Sequence, residues 1–361
     1  MKVRQSDIAA ALGISRTTVA RALNGTGYVD ADTKKKIFEL SSTQEYKKNL
    51  FASSLALKTN RSIHCSYVKT YNASFVRSME AGFKAAQSQF AHYGLDFSFS
   101  SVSSEAPLDQ VELIAELGKD DVAALVIMPL LQDELGPLVA DIAAQGTPVV
   151  TLVMDLPESG RIAFVGSDNY QGGRIAAELY GKLLDGRGTI LAMTTDYHYA
   201  MPMDRYRGFA DKIAEYPGIA VQGPESIGAL KEMYEKTRNC LETGMVPDAI
   251  FTVTDISYVA RAIADHIRAN PHRKELKNIK LVALDDDESA RAYIKKGYVD
   301  AIVSQRPFIQ AFIAAKLAAE NLLHRNRKPP SVPRIEYDIL MKENLSAFDN
   351  AAYFETIFRS L

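Results

Sequence analysis

The chain has 361 residues, 47% of them hydrophobic and 24% charged, with a formal net charge of −2. That length points to two or three domains, and no run approaches the ~18 apolar residues of a membrane span, so no membrane-spanning helix is expected. Cys65 and Cys240, far apart in the sequence, suggest no disulfide or metal framework, and each is expected to be a buried thiol.

The small net charge hides an asymmetry. Residues 1–62 hold 11 Lys and Arg against 5 Asp and Glu, a net of +6, so the remaining 299 residues carry a net of −8. A basic head on an acidic body suggests that the head alone meets a polyanion. The first residues, MKVRQSDIAAALGIS, lack the apolar stretch and cleavage site of a secretory signal, so a cytoplasmic protein is expected.

Ser6–Leu12 has Ile8, Ala9 and Leu12 on one helical face, and Gly13 stops it. Ser15 is placed to cap a second helix, Arg16–Leu23, with Val19, Ala22 and Leu23 apolar and Arg16, Thr17 and Arg21 polar. Asp30 or Asp32 caps a third helix carrying Lys34–Lys36 and Ile37, Phe38 and Leu40. Two short helices around a Gly-containing turn match the helix-turn-helix plan, in which the start of the second helix reaches base edges in the major groove.

Residues 47–62 form a polar, basic linker punctuated by Leu50, Phe51, Ala52, Leu55 and Leu57. From Ile63 onward, β-branched apolar runs at 124–128, 148–153, 188–193, 248–253 and 279–284 suit strands of a parallel sheet buried on both faces. Amphipathic helices over Met79–Phe90, Leu135–Ala144, Gly172–Leu184, Met233–Glu242 and Tyr258–Ala269 alternate with them, which predicts an open α/β sheet with right-handed crossovers. Ligands of such sheets bind beyond the carboxyl ends of the strands. The loops there carry Asp155, Asp255, Asp285 and Gln305, with Arg205 at the start of RYRGF. Carboxylates, an amide and a guanidinium in one cleft suit vicinal hydroxyls. Tyr71 and Phe75, after the first strand, can cover the apolar face of a sugar ring. The chain has no Trp for that purpose. Asp155 and Asp255 serve equally well as capping or hinge residues, and Asp168 and Asn169 are expected to cap the next helix.

No Ser-His-Asp order, Walker loop, metal-ligand spacing or dinucleotide fingerprint is present, so neither an enzyme nor a cofactor is expected, and His198 stands alone near the presumed cleft. A regulator controlled by a small molecule and a solute receptor serving a transporter are the two remaining readings, and the basic head favours the first. The basic, Pro-rich stretch 325–334 reads as exposed surface. The end of the chain places Tyr353, Ile357 and Leu361 at helical spacing, which suggests docking on the body.

The run SDIAAALGISRTTVARALNGTGYVDADTKKKI closely resembles the N-terminus of the LacI/GalR family of repressors, through Asp7, Ile8, Ala9, Gly13, Ser15, Thr18, Val19, Arg21, Leu23, Asn24, Val29 and Thr33. The resemblance implies that Arg16, Thr17 and Arg21 read bases, while Ser15, Thr18 and Asn24 make phosphate or turn contacts. Ala20 stands where many members have Ser. In the linker, Asn49, Ala52 and Leu55 fit the family's hinge helix, which implies that Leu55 wedges into the minor groove. Lys48 replaces the usual Pro. The body resembles the family's type I periplasmic-binding-protein fold through 75–82, 165–178, 204–209, 247–255, 282–287 and 301–307. Arg205, Asp285 and Gln305 match typical ligand contacts, and Thr254 replaces a frequent Asn.

The implied organisation is an all-α head at 1–46, a hinge at 47–62 and a two-lobed α/β body with parallel sheets at 63–361. One lobe is about 63–165 with 306–333, and the other about 166–305 with 334–361. The implied partners are a pseudo-palindromic double-stranded operator, a sugar-like effector and a second copy of the chain, with no membrane and no metal.

Overall fold

A computed structural model describes residues 5–24, 28–43, 62–117, 122–195, 200–324 and 334–348. Leu55 and nearly all of the linker lie outside the described residues, as do His198, most of 325–334 and the terminal segment from 349.

The head is three helices, α1 (Gln5–Leu12), α2 (Arg16–Asn24) and α3 (Ala31–Thr43). Gly13 ends α1 at φ +63°, and Ile14 then donates its amide to Ala9 O at 3.0 Å, closing the helix with a left-handed turn. Ser15 caps α2, its Oγ accepting from the Thr18 amide at 3.0 Å. Asp30, not Asp32, caps α3 by accepting from the Thr33 amide at 2.9 Å, and these hydrogen bonds to Thr33 hold its carboxyl below the usual range. Ile8, Ala9, Val19, Ala22 and Ile37 are buried together, with Leu12, Leu23 and Leu40 packed around them. Phe38 is 47% exposed, because the two innermost positions of α3 already fill the space between α1 and α2.

The body holds two sheets. The first is built from β1 (Ser62–Lys69), α4 (Ala73–Phe90), β2 (Asp96–Ser103), α5 (Leu108–Leu117), β3 (Ala124–Ile127), α6 (Gln132–Ala144), β4 (Val149–Leu152) and β5 (Ala163–Val165). Its strands are all parallel in the order β2-β1-β3-β4-β5. The second takes α7 (Asn169–Leu183), β6 (Arg187–Thr195), α8 (Ala200–Ile213), β7 (Gly218–Ile227), α9 (Leu230–Thr243), β8 (Ala249–Thr252), α10 (Ser257–Ala269), β9 (Lys280–Ala283), α11 (Glu288–Lys296) and β10 (Ala301–Ser304). The chain then crosses back: α12 (Pro307–Leu323) packs on α4 and on β3, β4 and β5 of the first sheet. A last crossing brings β11 (Asp338–Leu340) antiparallel to β10, giving the order β11-β10-β9-β8-β6-β7.

Each sheet is covered on both faces, which is why its inner strands are continuous apolar runs. In the first lobe α4 and α12 enclose one core, and Ile114, Leu135 and Val139 of α5 and α6 close the other face. In the second, α9, α10 and α11 cover one face, while α7 and α8 cover the other around Tyr180, Phe209 and Phe251. The five expected strands and five expected helices are all present, and each helix begins one to six residues earlier than its apolar spacing suggests. Some of those opening turns are fixed by caps, as where Asn72 Oδ1 accepts from the Phe75 amide at 2.9 Å. Cys65 is buried, and its thiol is pushed up by desolvation; Cys240 is only half-buried, unlike the expectation for it.

Candidate functional site: a buried ion pair between two lobes

The second sheet aims its strand ends at the first, and β8, β9 and β10 deliver Thr254 and Asp255, Asp285, and Gln305 to one point. Arg205 reaches the same point from α8, fully buried. Its Nη1 and Nη2 donate to the two oxygens of Asp285, each at 3.0 Å, and Nη1 also donates to Val253 O at 2.9 Å. Its Nε donates to Asn169 Oδ1 at 3.3 Å, so Asn169, expected to be a capping residue, instead orients the guanidinium, while Asp168 caps α7. Gln305 Nε2 donates to Asp285 Oδ1 at 2.9 Å. A two-pronged pair of this kind fixes the plane of the carboxylate as well as its position. Burial lowers the arginine's charged form, but Asp285 outweighs it, and the guanidinium ends above its ordinary value.

The depth of Arg205 has a cause in the backbone. A Cβ on Gly173 of α7 would sit 1.9 Å from Arg205 O, and one on Gly208 of α8 would sit 1.9 Å from Tyr170 O. Only glycine lets these two helices approach so closely, and the approach carries Arg205 under the sheet edge.

The first lobe contributes aromatic rings. Phe75 is buried at the mouth of a crevice of about 410 Å³ that Asp285, Asp287, Ser304, Gln305 and Phe308 also line. Tyr71 keeps 49% of its surface accessible, yet burial of its phenol pushes it up, the Asp285 and Asp255 charges add to that rise, and Arg205 and a hydrogen bond with Thr254 oppose it. Asp255 accepts from the amide and the hydroxyl of Ser257, and burial raises its carboxyl. Asp287 caps α11 through the Ser289 and Ala290 amides, and burial, then the Asp255 and Asp285 charges, push it up to about 6. Asp155 is tied elsewhere. It accepts from Thr151 Oγ1 at 2.9 Å and the Leu156 amide at 2.8 Å, and pairs in two-pronged fashion with Arg161.

Three further groups border the cluster without any signal in the sequence. Tyr337, on the last crossing, is pushed up to about 12 by burial, with Arg205 and Asp285 both near it. Arg306 bridges to Asp338 of β11 at the hinge. Arg77 of α4 donates to Glu288 of α11 at 2.5 Å, joining the lobes across the crevice. Arg306 immediately precedes α12 and Arg77 lies in the second turn of α4, and no local pattern marks either as a site residue.

In the head, Arg16, Thr17 and Arg21 are exposed on α2, and Asn24 ends that helix. Ser15 Oγ and Thr18 Oγ1 are hydrogen-bonded at 2.9 Å, so both hydroxyls secure the start of the same helix. No group of His, Cys, Asp and Glu among the described residues has metal-site geometry. No helix among them is long and apolar enough to cross a membrane.

Comparison with known proteins agrees with this geometry. A family model described as periplasmic binding protein domain matches residues 67–326, and one described as bacterial regulatory proteins, lacI family, matches 6–49. A sucrose operon repressor of Streptococcus mutans is 27% identical over 81% of this chain and 85% of its own length. GanP, a glucose-galactose binding protein from Geobacillus stearothermophilus, superposes with a TM-score of 0.66 at 25% identity, covering 79% of this chain and 99% of that one. A periplasmic ribose ABC transporter protein from Conexibacter woesei shares the fold at a TM-score of 0.70 and 23% identity, over 82% and 97% of the two chains. The two lobes and the helical head therefore have one assignment: the chain belongs to the periplasmic-binding-protein domain family and carries the helix-turn-helix of the lacI family of bacterial regulators.

Proposed function

We propose that this protein is a transcriptional repressor whose grip on operator DNA is set by a polyhydroxy effector held between its lobes. The observation that carries the reading is the presence, on one chain, of an exposed, basic recognition helix and a crevice closed by the Arg205–Asp285–Gln305 cluster. The head (1–46) acts through a homodimer that sets two copies of α2 on a pseudo-palindrome. Arg16, Thr17 and Arg21 read base edges, Ser15, Thr18 and Asn24 position the helix, and Leu55 of the 47–62 hinge wedges between base steps. In the body, Arg205, Asp285 and Gln305 hold hydroxyls, with Asp255 beside them and Tyr71 and Phe75 covering the ring. Asp155 holds the loop after β4 rather than the effector.

Binding of the effector across the crevice changes how the lobes sit, and coupling of this kind is typically ~1–3 kcal/mol. The test is operator retention by the full chain with and without a responding sugar. Gln305→Ala should keep operator binding and lose effector affinity by ~10-fold, because Gln305 supplies one hydrogen bond to Asp285 and faces the crevice. Operator affinity that survives deletion of residues 1–46, or an effector response unchanged in Gln305→Ala, overturns the reading.

A further inference from the structure

At the mouth of the crevice the lobes are joined by three side chains, and each is placed there by its own helix. Ser74 and Arg77 stand three residues apart in the first two turns of α4, so they share a face. Glu288 is the first residue of α11, in the other lobe. Arg77 Nη2 donates to Glu288 Oε1 at 2.5 Å and to Ser74 Oγ at 3.1 Å. The Glu288 amide donates to the same Ser74 Oγ at 3.3 Å. All three residues line the crevice, so this ring of contacts closes part of its rim.

The amide contact has a cause in helix geometry. The first amides of a helix have no partner within it. In α11, Asp287 satisfies those of Ser289 and Ala290, and the Glu288 amide is left for Ser74 of the opposite lobe. The first lobe thus completes the cap of a helix in the second. The ionic contact adds to it. The Arg77 and Glu288 side chains are 56% and 81% exposed, so their pairing is modest and is weakened by salt. Contacts of that strength tilt a balance without locking it, and they form from the chain's own groups.

We propose that Ser74, Arg77 and Glu288 are a salt-sensitive latch between the lobes: it favours the joined arrangement and so sets how often the crevice opens to solvent on the side of α4 and α11. Its bearing on the effector rests on the crevice being the effector site, whereas the balance between joined and parted lobes does not. The reason is one of populations. Contacts made only when the lobes are joined favour that state by their own free energy, and screening the ion pair returns part of it.

The test measures distances between spin labels on the full chain, at Lys84→Cys of α4 and Lys295→Cys of α11, two exposed positions, with the half-buried Cys240 changed to Ser. At about 0.02 M salt one short distance is expected to dominate, and at about 0.5 M a longer, broader population is expected to gain ~3-fold on it. Arg77→Met and Glu288→Gln should each give that gain at low salt, and the double variant no more than either single one. The response to salt should be lost in all three. Ser74→Ala, which removes the cap but leaves the ion pair, should shift the balance the same way and keep the salt response. A distribution that neither charge variant moves, gains that add in the double variant, a salt response that survives it, or a balance that Ser74→Ala leaves in place overturns the latch. None of these outcomes touches the effector reading, which operator retention with a responding sugar decides separately.

Discussion

Asp155 and Asp285 both lie just past an apolar strand, and they differ in what their neighbours leave free. Arg161, Thr151 and the Leu156 amide consume Asp155 within its own loop. Asp155→Ala should therefore cost about 2–3 kcal/mol in urea denaturation, by stranding a guanidinium and an amide, while effector affinity stays unchanged. Asp287 shows the opposite imbalance. Its carboxyl, near 6 in the fold, lies above an ordinary aspartate, so its charge costs stability at neutral pH. As pH falls through about 6 the native state takes up the proton before the unfolded chain does, and stability from this group rises. Asp287→Asn, which keeps a capping oxygen, should add about 1–2 kcal/mol at about pH 8 and little at about pH 4.5, after allowance for partial exposure. Thermal unfolding across that pH range reads the difference.

At the scale of elements, the pairing of α7 with α8 sets the site. Gly173→Ala would drive a methyl into the Arg205 carbonyl, and overpacking of this kind costs about 1–3 kcal/mol or more. The variant should lose stability and effector affinity together, because separating the helices draws Arg205 out of line with Asp285; denaturation and titration of one preparation check both. Much of this architecture is legible from periodicity alone. The central strands are apolar runs and the helices amphipathic, so the α/β sheet and the strand-end positions of Asp255, Asp285 and Gln305 follow from the sequence, while the division into two lobes came only from the family resemblance. The edges do not. β2 reads DFSFSSVS and β7 reads GIAVQGPESI, both largely solvent-facing, so neither carries the apolar run that marks a strand buried on both faces. Asn169 and Tyr337 meet Arg205 from places that no local pattern connects, and Asp155 looked like its neighbours because Arg161 lies six residues further on, outside any strand-end rule.

In the whole molecule, the two lobes are not equal with respect to chain order. The second is assembled almost entirely from residues 166–304, one continuous stretch. The first begins at residue 62, yet α12 supplies Ile309, Phe312, Ala315 and Leu322 to its core. As the chain leaves the ribosome, the earlier-made lobe must wait with α4 and β3 to β5 uncovered until residue 323 is made, while the later-made lobe can close first. N-terminal-first folding, the usual order during synthesis, is thus reversed in the body. A chain ending at residue 305 should show this under limited proteolysis, with 166–304 protected and 62–165 cut. The unfinished lobe exposes the apolar surface that α12 later covers, so the interval between residues 165 and 323 is when the nascent protein is most open to aggregation and most dependent on a chaperone.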